Sequence, residues 1–147
     1  MKRSAWMPFL VAAVLGAAFA YIAAYFWAYY VFDNPINDYL LETLAKQGQR
    51  TEFLLATYAH DFVINFLIAL PFAIGVANLP PGNKWGYVGV AVLSAFALAY
   101  WDALLNVHFW QILFSSNHAW AGLFVFILSL PAAFLVAILL QRRVSAT

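Results

Sequence analysis

The sequence predicts an all-α membrane protein, an antiparallel bundle of four transmembrane helices with a short interfacial amphipathic helix between helices 1 and 2. Of its 147 residues, 66% are hydrophobic and 9% are charged, which is too little charge for a water-soluble domain of this size. Four apolar stretches are each long enough to cross a bilayer, and aromatic residues lie near their ends. Short polar segments separate them, so we expect one integral membrane domain over residues 1–147.

The apolar stretches predict spans at about residues 5–32, 52–77, 85–110 and 118–140. Within the first, Ala18-Phe19-Ala20 resembles a signal-peptide cleavage site, but the apolar stretch continues well past it and favours an uncleaved anchor. Pro71 and Pro131 fall inside the second and fourth spans. A proline inside a helix frees a carbonyl and crowds the preceding turn, so we expect a kink at each.

The segment between the first two spans predicts a short helix at about residues 35–47. Asn34 is placed to cap it, Pro35 suits its first position, and Gly48 suits its end. The apolar side chains that share one face are Ile36, Leu40 and Leu44. An amphipathic helix of this kind is typical of a membrane interface, and the alternative is a solvated connector.

Positive charges are distributed unevenly across the predicted topology. With four crossings, one side of the membrane carries Lys2, Arg3, Lys84, Arg142 and Arg143. The other side carries Asp33, Asp38, Glu42 and Glu52 with Lys46 and Arg50. This asymmetry predicts cytoplasmic termini in a bacterial inner membrane. The net charge of +1 gives no indication of a nucleic-acid partner.

Small residues recur every four positions along the first span. They are Ala12, Gly16, Ala20, Ala24 and Ala28. Such a ridge lets another helix approach closely, which predicts contact with a membrane-protein partner or with a second copy of this chain. The alternative is that alanine is simply frequent here.

Two pairs of segments resemble each other and suggest an internal duplication. Residues 66–73 align with residues 126–133, with Pro71 and Pro131 in phase, and residues 24–28 resemble residues 99–103. The pattern predicts two helical hairpins in tandem. Chance matches within a biased composition are the alternative.

Polar residues inside the second and third spans form the candidate site. Thr57, Asp61 and Asn65 recur every four residues with His60 beside them, and a later stripe holds Asp102 and Asn106. Ionisable groups are costly in a membrane, so both stripes should face protein or water. The short turn between these spans predicts antiparallel neighbours, so that the stripes can meet. Counting from Glu52 and from Trp110 places Asp61 and Asp102 level with each other, both roughly 12 to 14 Å below the outer boundary.

The site residues allow three chemistries. His60, Asp61 and Asp102 could ligate a metal, two level carboxylates could share a proton with His60, and a haem would need a second deep histidine. The structural alternative is that these side chains hydrogen-bond one another and fix the helix packing. The absence of cysteine excludes thiolate chemistry, and no motif of a soluble enzyme is present. The sequence identifies no cofactor.

We therefore expect a small non-enzymatic integral membrane protein that acts as an accessory or assembly subunit of a membrane complex. The alternative is a small transporter, an ion- or metal-binding protein, or a membrane-enzyme subunit that uses His60, Asp61 and Asp102.

Overall fold

The structure is a computed structural model that describes residues 6–30, 34–101, 105, 111 and 117–144. The helices in chain order are α1 (Met7–Tyr30), α2 (Pro35–Leu40), α3 (Arg50–Ala77), α4 (Lys84–Ala99) and α5 (Asn117–Val144), and a π-helical segment, Leu41–Ala45, directly follows α2. No β-strand occurs among the described residues. The all-α part of the predicted fold class is therefore confirmed.

Three helices are long and apolar enough to cross a membrane, namely α1, α3 and residues 120–142 of α5. Helix α4 is also apolar, but its 16 residues are fewer than the roughly 20 that a crossing needs. The predicted third span continues to residue 110, and most of residues 102–110 lie outside the described residues. A fourth crossing stays a prediction.

The long helices pack mainly as two parallel pairs, α1 with α4 and α3 with α5. Phe9 packs on Tyr87, and Gly16 lies against Ala91, so residue numbers rise together along α1 and α4. Helices α3 and α4 contact each other far less than each contacts its main partner. The tight turn between them therefore does not make them principal neighbours, contrary to the sequence-based expectation.

Helix α1 also packs on α3, in the opposite direction. Trp27 lies beside Asn65, whereas Leu15, nearer the start of α1, lies beside Gly75, nearer the end of α3. This antiparallel contact brings the end of α1 to the polar residues of α3.

Small side chains line the contacts between the long helices. The buried small residues are Ala12, Gly16, Ala20 and Ala23 on α1, Ala69, Ala73 and Ala77 on α3, Ala91 and Ala95 on α4, and Ala133 and Ala137 on α5. A Cβ atom on Gly16 would lie 1.9 Å from the carbonyl oxygen of Ala91, so the two backbones touch there. In the predicted α1 ridge, Ala24 and Ala28 are exposed.

Aromatic side chains fill the centre between the small residues. Phe19 of α1 is 1% exposed and stacks on Phe126 of α5, with ring centroids 5.3 Å apart. It also contacts Phe72 of α3, at 6.2 Å. Phe19 thus links three helices from one position.

Helix α2 begins with the predicted cap. The Asn34 side chain accepts a hydrogen bond from the Asn37 backbone N–H at 3.0 Å, and Pro35 occupies the first turn. Gly48, with φ of 81°, then allows the chain to turn into α3. No residue of α2 is buried, so its apolar side chains are free to contact a membrane interface.

The turn between α3 and α4 is fixed by side chains. Lys84 Nζ donates to the carbonyl oxygen of Ala77 at 2.8 Å and to that of Leu79, which satisfies acceptors at the end of α3. Gln141 Nε2 donates to Asn78 Oδ1 at 2.8 Å and ties α5 to the same end. This end of the molecule is therefore held by hydrogen bonds from two directions.

Candidate functional site

Three of the predicted site residues, His60, Asp61 and Asn65, lie within the described part of α3. Asp102 and Asn106 lie outside the described residues. The predicted meeting of Asp61 with Asp102 therefore stays a prediction. The described residues instead join the α3 stripe to the last turns of α1.

Asn65 is the deepest member of this polar cluster. It is 5% exposed, and its Oδ1 accepts a hydrogen bond from Trp27 Nε1 at 3.0 Å. Buried carboxamides need such partners, because an unpaired polar group in an apolar environment costs about 1 to 3 kcal/mol. The bond satisfies the indole N–H, which can only donate, and links α1 to α3.

His60 connects Tyr30 to Asp61. The Tyr30 hydroxyl lies 3.3 Å from His60 Nε2, and His60 Nδ1 lies 3.1 Å from Asp61 Oδ1. The Tyr30 and His60 rings stack, with centroids 5.8 Å apart and planes 22° from parallel. The His60 side chain is 12% exposed, whereas that of Asp61 is 31% exposed, so the carboxylate is more open than the imidazole.

The direction of these hydrogen bonds depends on which ring nitrogens of His60 carry a proton. With Asp61 ionised, Nδ1 is the donor, because a carboxylate only accepts. A singly protonated ring then accepts at Nε2 from the Tyr30 hydroxyl, whereas a doubly protonated ring donates from Nε2 to the Tyr30 oxygen.

The partners Trp27 and Tyr30 were missed by the sequence-based reasoning. They stand three residues apart near the end of the first span and so share one helix face. That spacing could have indicated that the two side chains act together. However, tryptophan and tyrosine are common near span ends, in the interfacial belt, so their presence there does not by itself indicate a hydrogen-bonding role.

The cluster lies at the last described turn of α1, because His60 contacts Tyr30, where the described part of that helix ends. Helix α3 begins at Arg50, almost three turns earlier, and therefore continues about 15 Å past the cluster at 1.5 Å per residue. The depth predicted for Asp61 below the outer boundary stays a prediction.

The buried polar side-chain atoms of the described residues are satisfied within the chain. No buried side-chain nitrogen or oxygen lacks a hydrogen-bond partner in the described ranges. In the same part of the chain, no three His, Cys, Asp or Glu side chains are grouped closely enough to hold a metal ion. Because Asp102 is outside these ranges, the predicted ligand set of His60, Asp61 and Asp102 stays untested.

By length and composition, the apolar helices place this chain among helical membrane proteins. No family model, curated protein or solved structure matches it.

We expect a measurable coupling between Trp27 and Asn65. Trp27→Phe and Asn65→Leu should each lower the free energy of unfolding, and the double variant should lose less than their sum by about 0.6 to 1.7 kcal/mol. The reason is that each single change leaves one buried group without its partner. Reversible unfolding in mixed micelles measures the cycle.

Trp6→Phe is the matched control, since Trp6 is 60% exposed. It should change stability by less than about 0.5 kcal/mol. Additive losses for Trp27 and Asn65 would show that their hydrogen bond contributes nothing.

Proposed function

We propose that this protein is a small non-enzymatic integral membrane protein that serves as an accessory or assembly subunit of a membrane complex. The main support for this proposal is that the polar side chains of the cluster hydrogen-bond to one another. These contacts are Trp27–Asn65 and Tyr30–His60–Asp61. Such a cluster holds α1 against α3. It leaves no buried polar side-chain atom in the described ranges without a hydrogen-bond partner that a substrate would have to supply. Large apolar side chains on the outside, such as Leu93 and Leu128, suit lipid or a partner helix.

Purification from native membranes in a mild detergent tests the accessory role. The tagged chain should co-purify with a larger membrane assembly at a fixed ratio, and deletion of its gene should lower the amount of that assembly. Asn65→Leu should lower the yield of the chain but leave the ratio of partner to surviving chain unchanged. A chain that purifies alone, from membranes whose complexes are unaffected by the deletion, would contradict the proposal.

The proposed location is a bacterial inner membrane, with both termini in the cytoplasm. The positive charges support this orientation, because Lys84 and Arg142 lie at the end of the bundle opposite to the polar cluster. Reporter fusions should give a cytoplasmic signal at the C-terminus and an external signal in the loop at Gly48. An external C-terminus would contradict the proposed orientation.

A second candidate function is ion or proton binding at His60, Asp61 and Asp102. It is favoured by the 31% exposure of the Asp61 side chain, which leaves carboxylate surface beyond its bond to His60. Metal analysis of the purified protein tests it directly. A stoichiometric ion that is lost in Asp61→Ala would displace the accessory role as the preferred function.

The proposed meeting of Asp61 and Asp102 has its own test. If the carboxylates share a proton or an ion, Asp61→Asn and Asp102→Asn should each cost more stability than expected from the double variant. Thermal unfolding in detergent measures the cycle. Strictly additive effects would count against contact between them.

A further inference from the structure

Lys84 holds a positive charge at the turn between α3 and α4. Its Nζ donates to the carbonyl oxygens of Ala77 and Leu79, and within the described ranges it forms no salt bridge. An ammonium group has three N–H donors, so these two hydrogen bonds leave one donor for another acceptor. The side chain is half-buried, and a cation sheltered from water is stabilised by an anion beside it.

The sequence around this turn supplies no acidic side chain to balance Lys84. The acidic residues of the chain are Asp33, Asp38, Glu42, Glu52, Asp61 and Asp102. None of them falls between residues 62 and 101 or after residue 102. Lys46 differs in this respect, because it pairs with Glu42 at 3.2 Å. An anion that balances Lys84 therefore has to come from another molecule.

A second cation, Arg142, lies at the same end of the bundle. The Gln141 side chain donates to Asn78 Oδ1 at 2.8 Å, which places the last turns of α5 beside the α3–α4 turn. Arg142 follows Gln141 directly and is exposed. Lys84 and Arg142 thus give this end of the molecule a positive surface.

Apolar side chains continue from these cations along the outside of the bundle. Arg142 shares one face of α5 with Leu139 and Leu135, because the three are spaced at intervals of three and four residues. Both leucines are exposed. Trp85, at the start of α4, packs edge-on against Phe134 at 5.4 Å and is 56% exposed, as is typical of tryptophan at the level of lipid headgroups. Positive charge beside exposed apolar side chains matches the headgroup and chains of a phospholipid.

We propose that this end of the bundle binds the headgroup of an anionic phospholipid. A phosphate oxygen accepts the remaining N–H of Lys84, the Arg142 charge adds to the attraction, and an acyl chain lies along Leu139 and Leu135. A lipid is favoured over a soluble anion because only the lipid covers the exposed leucines. The site involves the chain alone and does not rest on the accessory role.

Native mass spectrometry of the purified full chain in detergent tests the proposal. The probes are phosphatidylglycerol and phosphatidylcholine with identical acyl chains, added in equal amounts. One lysine or arginine near a membrane surface changes the affinity for anionic lipid about fivefold, so bound phosphatidylglycerol should exceed bound phosphatidylcholine at least about fivefold. Equal occupancy would overturn the proposal. Inorganic phosphate at the same concentration should not displace the lipid, and displacement would mean a site for soluble anions instead.

A pair of lysine substitutions tests the location of the site. Lys84→Gln should lower the preference for phosphatidylglycerol about fivefold. Lys46→Gln is the matched control, because it removes the same charge from an exposed lysine that already pairs with Glu42. It should leave the preference unchanged. Equal losses in both variants would mean that lipid binding follows net charge alone and would contradict a site at Lys84.

Arg142→Gln provides a second variant that leaves the hydrogen bonds of Lys84 in place. Lys84→Gln also removes donors from the carbonyl oxygens at the end of α3, so it is informative only if the protein folds. Arg142 is exposed, and its replacement should lower the preference for phosphatidylglycerol by a similar factor of about five. A folded Arg142→Gln protein with an unchanged preference would overturn the proposed position of the headgroup.

Discussion

Replacing Gly16 by alanine should be the most damaging single-methyl change in the described helices, with an expected loss of about 3 kcal/mol in the free energy of unfolding. The new Cβ would lie 1.9 Å from the Ala91 carbonyl oxygen and 2.7 Å from its Cα. These are backbone atoms, so no side-chain rotation relieves the clash. Helices α1 and α4 would have to move apart along their whole contact, which loses the van der Waals packing that holds helices together in lipid.

Gly122→Ala is the matched control for Gly16→Ala. Gly122 also lies inside a long helix, but a Cβ there would meet nothing within 4 Å. Alanine has the better helix propensity, so this variant should be neutral or slightly stabilising. Unfolding in mixed micelles compares the two. Equal effects at both positions would mean that α1 and α4 are not in backbone contact.

Phe19→Ala should cost a similar amount, about 3 kcal/mol, at the lower end of the range for buried phenylalanine in water-soluble proteins. Phe19 is 1% exposed and contacts Phe72 and Phe126, so its loss opens a cavity between three helices. In lipid the loss comes from the cavity and the missing contacts and not from transfer out of water.

Phe124→Ala provides the comparison for Phe19→Ala. Phe124 lies on α5 and is 52% exposed, so its removal should change stability by less than about 0.5 kcal/mol. Thermal unfolding in one detergent measures both variants. If both lost the same stability, the centre of the bundle would not be where Phe19 lies.

Hydropathy was enough to predict the all-α class and the apolar helices, because the need to satisfy backbone groups in lipid leaves few alternatives. It could not predict which helices pair. The short turn at residues 78–83 predicts neighbouring helices, yet a turn fixes only where two helix ends lie. The backbone contact between Gly16 and Ala91 shows that α1 pairs with α4, and this depends on the small faces of both helices.

The pairing bears on the suggested duplication. The two segments with matching prolines lie on α3 and α5, and these helices form one parallel pair. The other matching segments are residues 24–28, on α1, and residues 99–103, which begin at the last residue of α4 and continue beyond the described residues; α1 and α4 form the second pair. Corresponding helices of two tandem hairpins would thus lie side by side.

Three of the five described residues of the candidate site could be predicted from the sequence. His60, Asp61 and Asn65 are conspicuous because polar side chains are rare in apolar segments. Trp27 and Tyr30 are not, because aromatic residues are frequent throughout this chain and need no polar partner to be there. Which residues of α1 meet this stripe depends on how α1 and α3 are offset along their axes, and composition does not encode that offset.

The parallel contact between α1 and α4 has a consequence during synthesis. Ser94 Oγ donates to the Ala13 carbonyl oxygen across a separation of 81 residues. At about 5 to 20 residues per second, the ribosome needs roughly 4 to 16 s to make that intervening chain. During this time the small-residue face around Gly16 has no α4 to cover it. The nascent α1 therefore carries an unoccupied helix-binding face, which α4 must cover before another protein binds there.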